Sequence, residues 1–235
     1  MAHLDTTSLN LNNNNCCCCC LLLDLDKTNE MATSSNTLNW GSPQRTGAAY
    51  DFRSDVLTTP SEGMLAAIAQ TTLNDDVFRE DTTTIDSEKD IAQRCGHDAA
   101  AFVITGTMAN QLALLALLAQ PPQSILADSH AHIIHYEAGG PAHLSGAMIQ
   151  AIQPMNGRYL TLEDIRKHAV ITNDVHRAPT RVISLENTTS GTIIPLDEMR
   201  RIKAWATSKG IKIHMDGVRL WEAVAAGAGT IREFA

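Results

Sequence analysis

The run His214-Met215-Asp216-Gly217-Val218-Arg219 places an aspartate at the end of Ile211 to Met215, a stretch with the composition of a buried strand. A carboxylate there is costly unless it meets a cation. Arg219 is one such partner, and the positive nitrogen of a bound ring is another. A second candidate is Thr105-Gly106-Thr107-Met108-Ala109-Asn110, which leads into a helical stretch from Gln111 to Ala119. Free backbone N–H groups at a helix start, with a hydroxyl and a glycine that permits close approach, can seat a phosphate. The plainer alternative is a glycine turn capped by Thr107. A third is Asp128-Ser129-His130-Ala131-His132-Ile133-Ile134-His135, with three imidazoles in six residues. An alternating then helical spacing does not aim all three at one ion, so no metal is assigned. They are surface or capped histidines, or one of them lies flat against a planar heteroaromatic ring.

All three motifs follow short apolar runs. Phe102 to Thr105, Ile125 to Ala127, Ala147 to Ile152, Val182 to Leu185 and Ile211 to Met215 alternate with segments able to form helices. That alternation predicts an α/β fold with a mostly parallel sheet covered on both faces, in three layers. Ligands in such sheets sit beyond the carboxyl ends of the strands. Upstream, Thr59-Pro60-Ser61-Glu62 predicts a helix start, with Thr59 as cap, ahead of Met64, Leu65 and Ile68. Ile85 to Cys95 predicts a second helix, closed by Gly96. Taken together, the aspartate and the phosphate seat suggest pyridoxal phosphate, a cofactor with a cationic ring at one end and a phosphate at the other.

Composition narrows the class. The 235 residues carry 18 basic and 26 acidic side chains, and residues 1–90 hold 14 of the acids against 5 bases. No basic stripe offers a grip for nucleic acid. Five of six cysteines form the run Cys16 to Cys20, which argues against a disulfide framework, and adjacent cysteines lack the spacer of a zinc loop. The apolar stretch Cys16 to Leu23 is too short to span a membrane and has no basic residue before it, so the expected compartment is the cytoplasm. Homopolymer runs of asparagine, cysteine and leucine mark residues 1–47 as a disordered low-complexity tail, with the globular part in 48–235.

Seven stretches, in order, resemble the pyridoxal-phosphate-dependent threonine aldolases, grouped with the aromatic amino-acid β-eliminating lyases. They are Asp51-Phe52-Arg53-Ser54-Asp55, Asn74-Asp75-Asp76-Val77-Phe78, Thr105-Gly106-Thr107-Met108, His132 to Gly140, Asp174-Val175-His176, Ser184-Leu185-Glu186-Asn187-Thr188 and His214 to Arg219. The resemblance implies the aspartate-aminotransferase fold, fold type I, with residues 48–235 as a partial large domain. It implies that Gly106 and Thr107 bind the cofactor phosphate, that His132 stacks on the pyridine ring, and that Asp216 holds the ring nitrogen protonated. Arg219 and Ser54 are expected near the substrate carboxylate, and His176 as a second active-site histidine. Val218 stands where the family usually has alanine. The implied reaction cleaves a β-hydroxy-α-amino acid, threonine or allo-threonine, to glycine and an aldehyde, within amino-acid metabolism and in a homo-oligomer, dimer or tetramer.

The family's Schiff-base lysine follows the strand aspartate in a Ser-Lys-Gly context. Here the six lysines are 27, 89, 167, 203, 209 and 212, all before Asp216. Ser208-Lys209-Gly210 imitates the motif, but it precedes the last strand and reads as a helix end with a glycine cap. The expectation is therefore a C-terminally truncated large domain without its C-terminal small domain, with an unpaired sheet edge and little or no turnover. The rival readings are a non-catalytic fragment that docks on a full-length homologue, and another reaction on the same cofactor, β-elimination or racemisation.

Overall fold

The computed structural model describes residues 15–18, 51 and 53–235. The chain divides into two units, one formed by residues 90–235 with the segment 15–18, the other within residues 21–89. In the smaller unit a 3-10 turn, Asp55–Leu57, precedes α1 (Glu62–Ala69). The cap of α1 is Ser61, whose hydroxyl accepts from Met64 N–H, and not Thr59 as the sequence predicts. Proline at position 60 therefore lies just outside the helix. The next helix, α2 (Thr82–Cys95), crosses into the larger unit and ends at Gly96, whose φ of +74° is the left-handed conformation expected of it.

The larger unit is built on one five-stranded sheet. Its strands are β1 (Asn15–Cys18), β2 (Ser124–Asp128), β3 (Met148–Ile152), β4 (Thr180–Glu186) and β5 (Lys212–Asp216), in the spatial order β1-β5-β4-β2-β3. Every pairing is parallel. Four of the five predicted runs form strands. Phe102 to Thr105 does not: Phe102 and Ile104 are exposed and the segment is loop, leading into the helix that begins at Gly106. Conversely, Asn15–Cys18, assigned from sequence to an unstructured tail, pairs with the outer edge of β5 in the register Cys16 to His214 and Cys18 to Asp216. The edge expected to be bare is thereby hydrogen-bonded. The rest of residues 1–47 lies outside the described residues, as do the side chains of the cysteine run.

Alternation along β4 and β5 sorts side chains to two faces. Ile183, Leu185, Ile213 and Met215 take one, where α7 (Leu196–Ser208), beside α6 (Leu162–His168), buries Met199, Ile202 and Ala206, spaced by three and four residues. Lys209 and Gly210 close that helix, with Gly210 at φ +66°, as the sequence predicts. The opposite face carries Val182, Ser184, Glu186, His214 and Asp216, and α3 (Gly106–Leu117) packs on it. There Leu114, Leu118, Ile125, Ala127, Ala131, Ile133, Ala147 and Val182 make one apolar cluster, and each large aliphatic group fully buried contributes about 1.5–3 kcal/mol. Helices on both faces give the three-layer α/β architecture expected. Among the described residues no helix is long and apolar enough to cross a membrane.

Candidate active site

Parallel strands bring Glu186 and Asp216, the last residues of β4 and β5, side by side on the α3 face. Both are buried, 7% and 5% exposed. Beyond β2 the chain turns into α4 (His132–His135) and then α5 (Gly140–Ser145), which carry the residues that meet them. The N–H of His132 donates to Glu186 Oε2 at 2.7 Å. His132 Nδ1 lies 3.0 Å from Glu137 Oε1, and Asn110 Nδ2 donates both to that same oxygen, at 2.7 Å, and to Asp216 Oδ2, at 2.9 Å. Gln111 Nε2 donates to the other oxygen of Glu137. Val218 N–H reaches Asp216 Oδ1 at 3.3 Å. One continuous chain of hydrogen bonds thus runs from the imidazole of His132 through Glu137 and Asn110 to Asp216.

Local sequence explains how these groups arrive. Asn110 and Gln111 sit on the first turns of an otherwise apolar α3, one turn before the buried Leu114. Gly140 makes room at a close approach: a Cβ there would meet the Gln111 amide at 3.1 Å and press on the side chain that reaches Glu137. The amide of Asn110 points its donor at two carboxylates and leaves Oδ1 buried without a partner, at a cost of about 1–3 kcal/mol. The reverse orientation would set that oxygen against two carboxylate oxygens, which is worse.

Electrostatically the pocket is rich in acid. Glu137, Glu186 and Asp216 are all buried within it, and the arginine nearby, Arg219, has Nη1 4.0 Å from Glu186 Oε1. Burial pushes the Glu186 carboxyl up to about 7; the bond from His132 N–H opposes this and the charge of Asp216 adds to it. His214, directly under the site, is wholly buried and held down to about 4 by burial, with its Nδ1 2.8 Å from Ser184 Oγ. It is neutral there.

Sequence-predicted residues fare differently. His132 and Asp216 are joined through Glu137 and Asn110, and Arg219 stands beside Glu186. Gly106 and Thr107 begin α3, so the helix starts five residues before the predicted Gln111 and its cap is Thr105, not Thr107: Thr105 Oγ1 accepts from Met108 N–H at 3.0 Å. The N–H groups of residues 106 and 107 stand in the helix's first turn, where no intrahelical acceptor exists. Thr105→Ala is expected to lower stability by about 1 kcal/mol, seen as an earlier denaturant midpoint; an unmoved midpoint would mean the cap contributes nothing.

One residue is not brought to this cluster. His176, 87% exposed at its side chain, is in the loop before β4 and hydrogen-bonds Asp174. Neighbours in that loop line a cavity with Pro121, Arg181 and Lys212, at the amino ends of the strands. The site is at the carboxyl ends, so within this chain His176 stands toward the opposite end of the strands and is not joined to the cluster. Ser54 belongs to the smaller unit, where it caps the 3-10 turn. The three histidines disperse: His130 turns to Asp128, His132 to Glu137 and His135 to the carbonyl of Ser129. Ligand atoms of His132, Glu137 and Asp216 do lie within 4.8 Å of one another, near enough for one small cation. Asn110 already bridges its two carboxylates. Sequence reasoning missed Asn110, Glu137 and Glu186 as site residues; the signal available was a pair of polar residues interrupting a stretch with no charge between Asp98 and Asp128.

These residues fit pyridoxal phosphate. A buried site with more carboxylate than cation suits a protonated pyridine nitrogen, and a helix start suits a phosphate.

Comparison with known proteins points the same way. The family described as beta-eliminating lyase matches residues 51–235. Curated relatives include the alanine racemase TOXG of Cochliobolus carbonum, 52% identical over 87% of this chain and 52% of its own length, and the low-specificity L-threonine aldolase of Eremothecium gossypii, 46% identical over 80% of this chain and 50% of its own. Among solved structures, the threonine aldolase of Leishmania major superposes with a TM-score of 0.63 at 22% identity, covering 72% of this chain and 50% of that one, which speaks to the fold. The chain spans about half the length of the curated relatives it matches. With its parallel sheet and its acid cluster at the carboxyl ends of β4 and β5, this chain belongs to the beta-eliminating lyase family that includes the threonine aldolases.

Proposed function

We propose that the protein is a pyridoxal-phosphate-dependent lyase of the threonine aldolase type, acting on L-threonine or L-allo-threonine to release glycine and acetaldehyde, and that it works as a cytoplasmic homo-oligomer. The observation that carries this reading is the hydrogen-bonded line from His132 to Asp216 at the carboxyl ends of the strands. Bound pyridoxal phosphate supplies an electron sink for the charge left when a Cα–Cβ bond breaks. Asp216 holds a proton on the ring nitrogen, which keeps that sink positive. His132 covers the ring, with its Nδ1 edge held by Glu137. The backbone at Gly106 and Thr107 takes the phosphate, and Arg219 the substrate carboxylate. An imidazole at this position is suited to accept the β-hydroxyl proton near neutral pH.

None of the six lysines stands after Asp216, and Lys209 and Lys212 lie at the amino end of β5. We assign none of these six lysines the covalent link to the cofactor, so within residues 1–235 the cofactor is held by Asp216, His132 and the start of α3. Borohydride reduction followed by mass spectrometry tests this: a saturable change in cofactor absorbance with no fixed adduct is expected, and a cofactor-modified lysine would overturn it. A second reading, racemisation, is favoured by the 52% identity to a protein named alanine racemase. Amino acids added to the cofactor-loaded chain separate the two. Stronger spectral perturbation by threonine and allo-threonine than by alanine supports the lyase, and the reverse order supports the racemase.

A further inference from the structure

We infer that Asn110 and Glu137 are a positioning pair that couples the ring-covering imidazole to the ring-anchoring carboxylate, an assignment that rests on the pyridoxal phosphate reading above. Three observations converge on it. Asn110 spends both amide hydrogens on carboxylates, 2.7 Å from Glu137 Oε1 and 2.9 Å from Asp216 Oδ2. Glu137 gathers donors from three directions, Asn110, Gln111 and the Nδ1 edge of His132, and is 5% exposed, so the protein supplies a donor to each of its oxygens. The Asn110 oxygen, also buried, receives nothing, so this position is used as a donor only.

The consequences are chemical. With Glu137 accepting at Nδ1, the neutral imidazole of His132 carries its hydrogen there, which leaves Nε2 as the bare nitrogen of the ring. The ring plane is fixed by the same bond. The shared amide between Glu137 and Asp216 stands between two buried carboxylates, so neither rotates without losing a charge-assisted bond. A rotation of Asp216 would take its oxygen away from a ring nitrogen; a rotation of His132 would lift it off the ring. Asn110 and Glu137 touch neither ring nor substrate in this assignment and act through His132 and Asp216.

The test uses the 235-residue chain with Glu137→Gln, Glu137→Ala, Asn110→Ala and Asn110→Asp, and pyridoxal phosphate as probe. Glutamine keeps one acceptor oxygen but not two, and aspartate replaces a donor by an acceptor of the same shape. Cofactor dissociation constants are expected to rise about 10- to 100-fold, as for residues that orient a ligand's direct partners, with Asn110→Asp the most affected. A second measurement needs no cofactor: long-range 1H–15N NMR of the histidine rings is expected to show His132 protonated at Nδ1 in the parent and as a tautomer mixture in Glu137→Ala. If an Asn110 variant does not fold, judged by circular dichroism, the Glu137 variants and the NMR tautomer decide. Parent chain that binds cofactor while the variants bind equally well, with an unchanged tautomer, overturns the pair and leaves the function standing. Parent chain that binds no cofactor removes the functional reading, and the pair with it.

Discussion

Replacing Asp216 by Ala is expected to weaken pyridoxal phosphate binding by about 100-fold or more, the largest single effect of any substitution at this site. The carboxylate is 5% exposed, at the end of β5, with one oxygen on Asn110 and the other near Val218 N–H. Any cation it meets is therefore met in a desolvated pocket, where a charged hydrogen bond contributes roughly 1.5–3 kcal/mol and the accompanying charge attraction more. Asp216→Asn keeps the shape and removes the charge, so the gap between the two variants separates packing from electrostatics. Lys209→Ala, on the amino side of β5, should bind cofactor like the parent. Fluorescence titration of the three variants checks this, and equal affinity for Asp216→Ala and parent would dismiss the cationic-ring assignment.

The second large effect concerns stability. Glu186 has its folded-state value raised from 4.5 to about 7, mainly by burial. Between those values the folded chain holds a proton that the unfolded chain has lost, so stability falls as pH rises from about 4.5 to 7 and the cost is fully present above 7. His214 works in the other direction. Its value drops from 6.5 to about 4, again through burial, so the unfolded chain binds the extra proton and stability rises with pH across that span. Over the shared interval near pH 4.5 to 6.5 the two slopes oppose each other.

Glu186→Gln breaks that balance. Glutamine offers an oxygen to the His132 N–H but carries no charge to desolvate, so the variant should be more stable than the parent by about 1–3 kcal/mol at pH 8. The lost attraction to Arg219 keeps the gain below the full shift. Toward pH 4.5 the advantage should fade, while the rise contributed by His214 becomes visible in the variant. Urea denaturation at pH 5, 6, 7 and 8 measures both, and a variant whose advantage is the same at every pH would refute the assignment of this titration to Glu186. Such a gain at a site residue fits a pocket that stores unfavourable charge for a ligand to relieve.

Much of this layout can be read from residue order. Ile125 to Ala127, Val182 to Leu185 and Ile211 to Met215 are strands because short β-branched and apolar runs have few other ways to bury themselves, and parallel pairing then puts Glu186 and Asp216 side by side at the carboxyl ends. Gly210 after Lys209 ends α7 for a reason local to the backbone, which is why the Ser-Lys-Gly stretch reads as a helix end from residue order alone.

Other features depend on neighbours far along the chain. Phe102 to Thr105 has strand composition but pairs with no strand, and Asn15–Cys18 has no amphipathic pattern yet pairs with β5, because a strand is stabilised by the partner that takes its hydrogen bonds. His176 is part of a resembling motif, and its place in the loop before β4 sets it toward the amino ends of the strands within this chain. Asn110 lies 106 positions before Asp216 and 27 before Glu137, separations at which no local periodicity operates. Burial turns those three into a unit: once water is excluded, a carboxylate must find its donors within the protein, and only the packed arrangement of α3 against β5 and the turn into α5 says which donors are in reach.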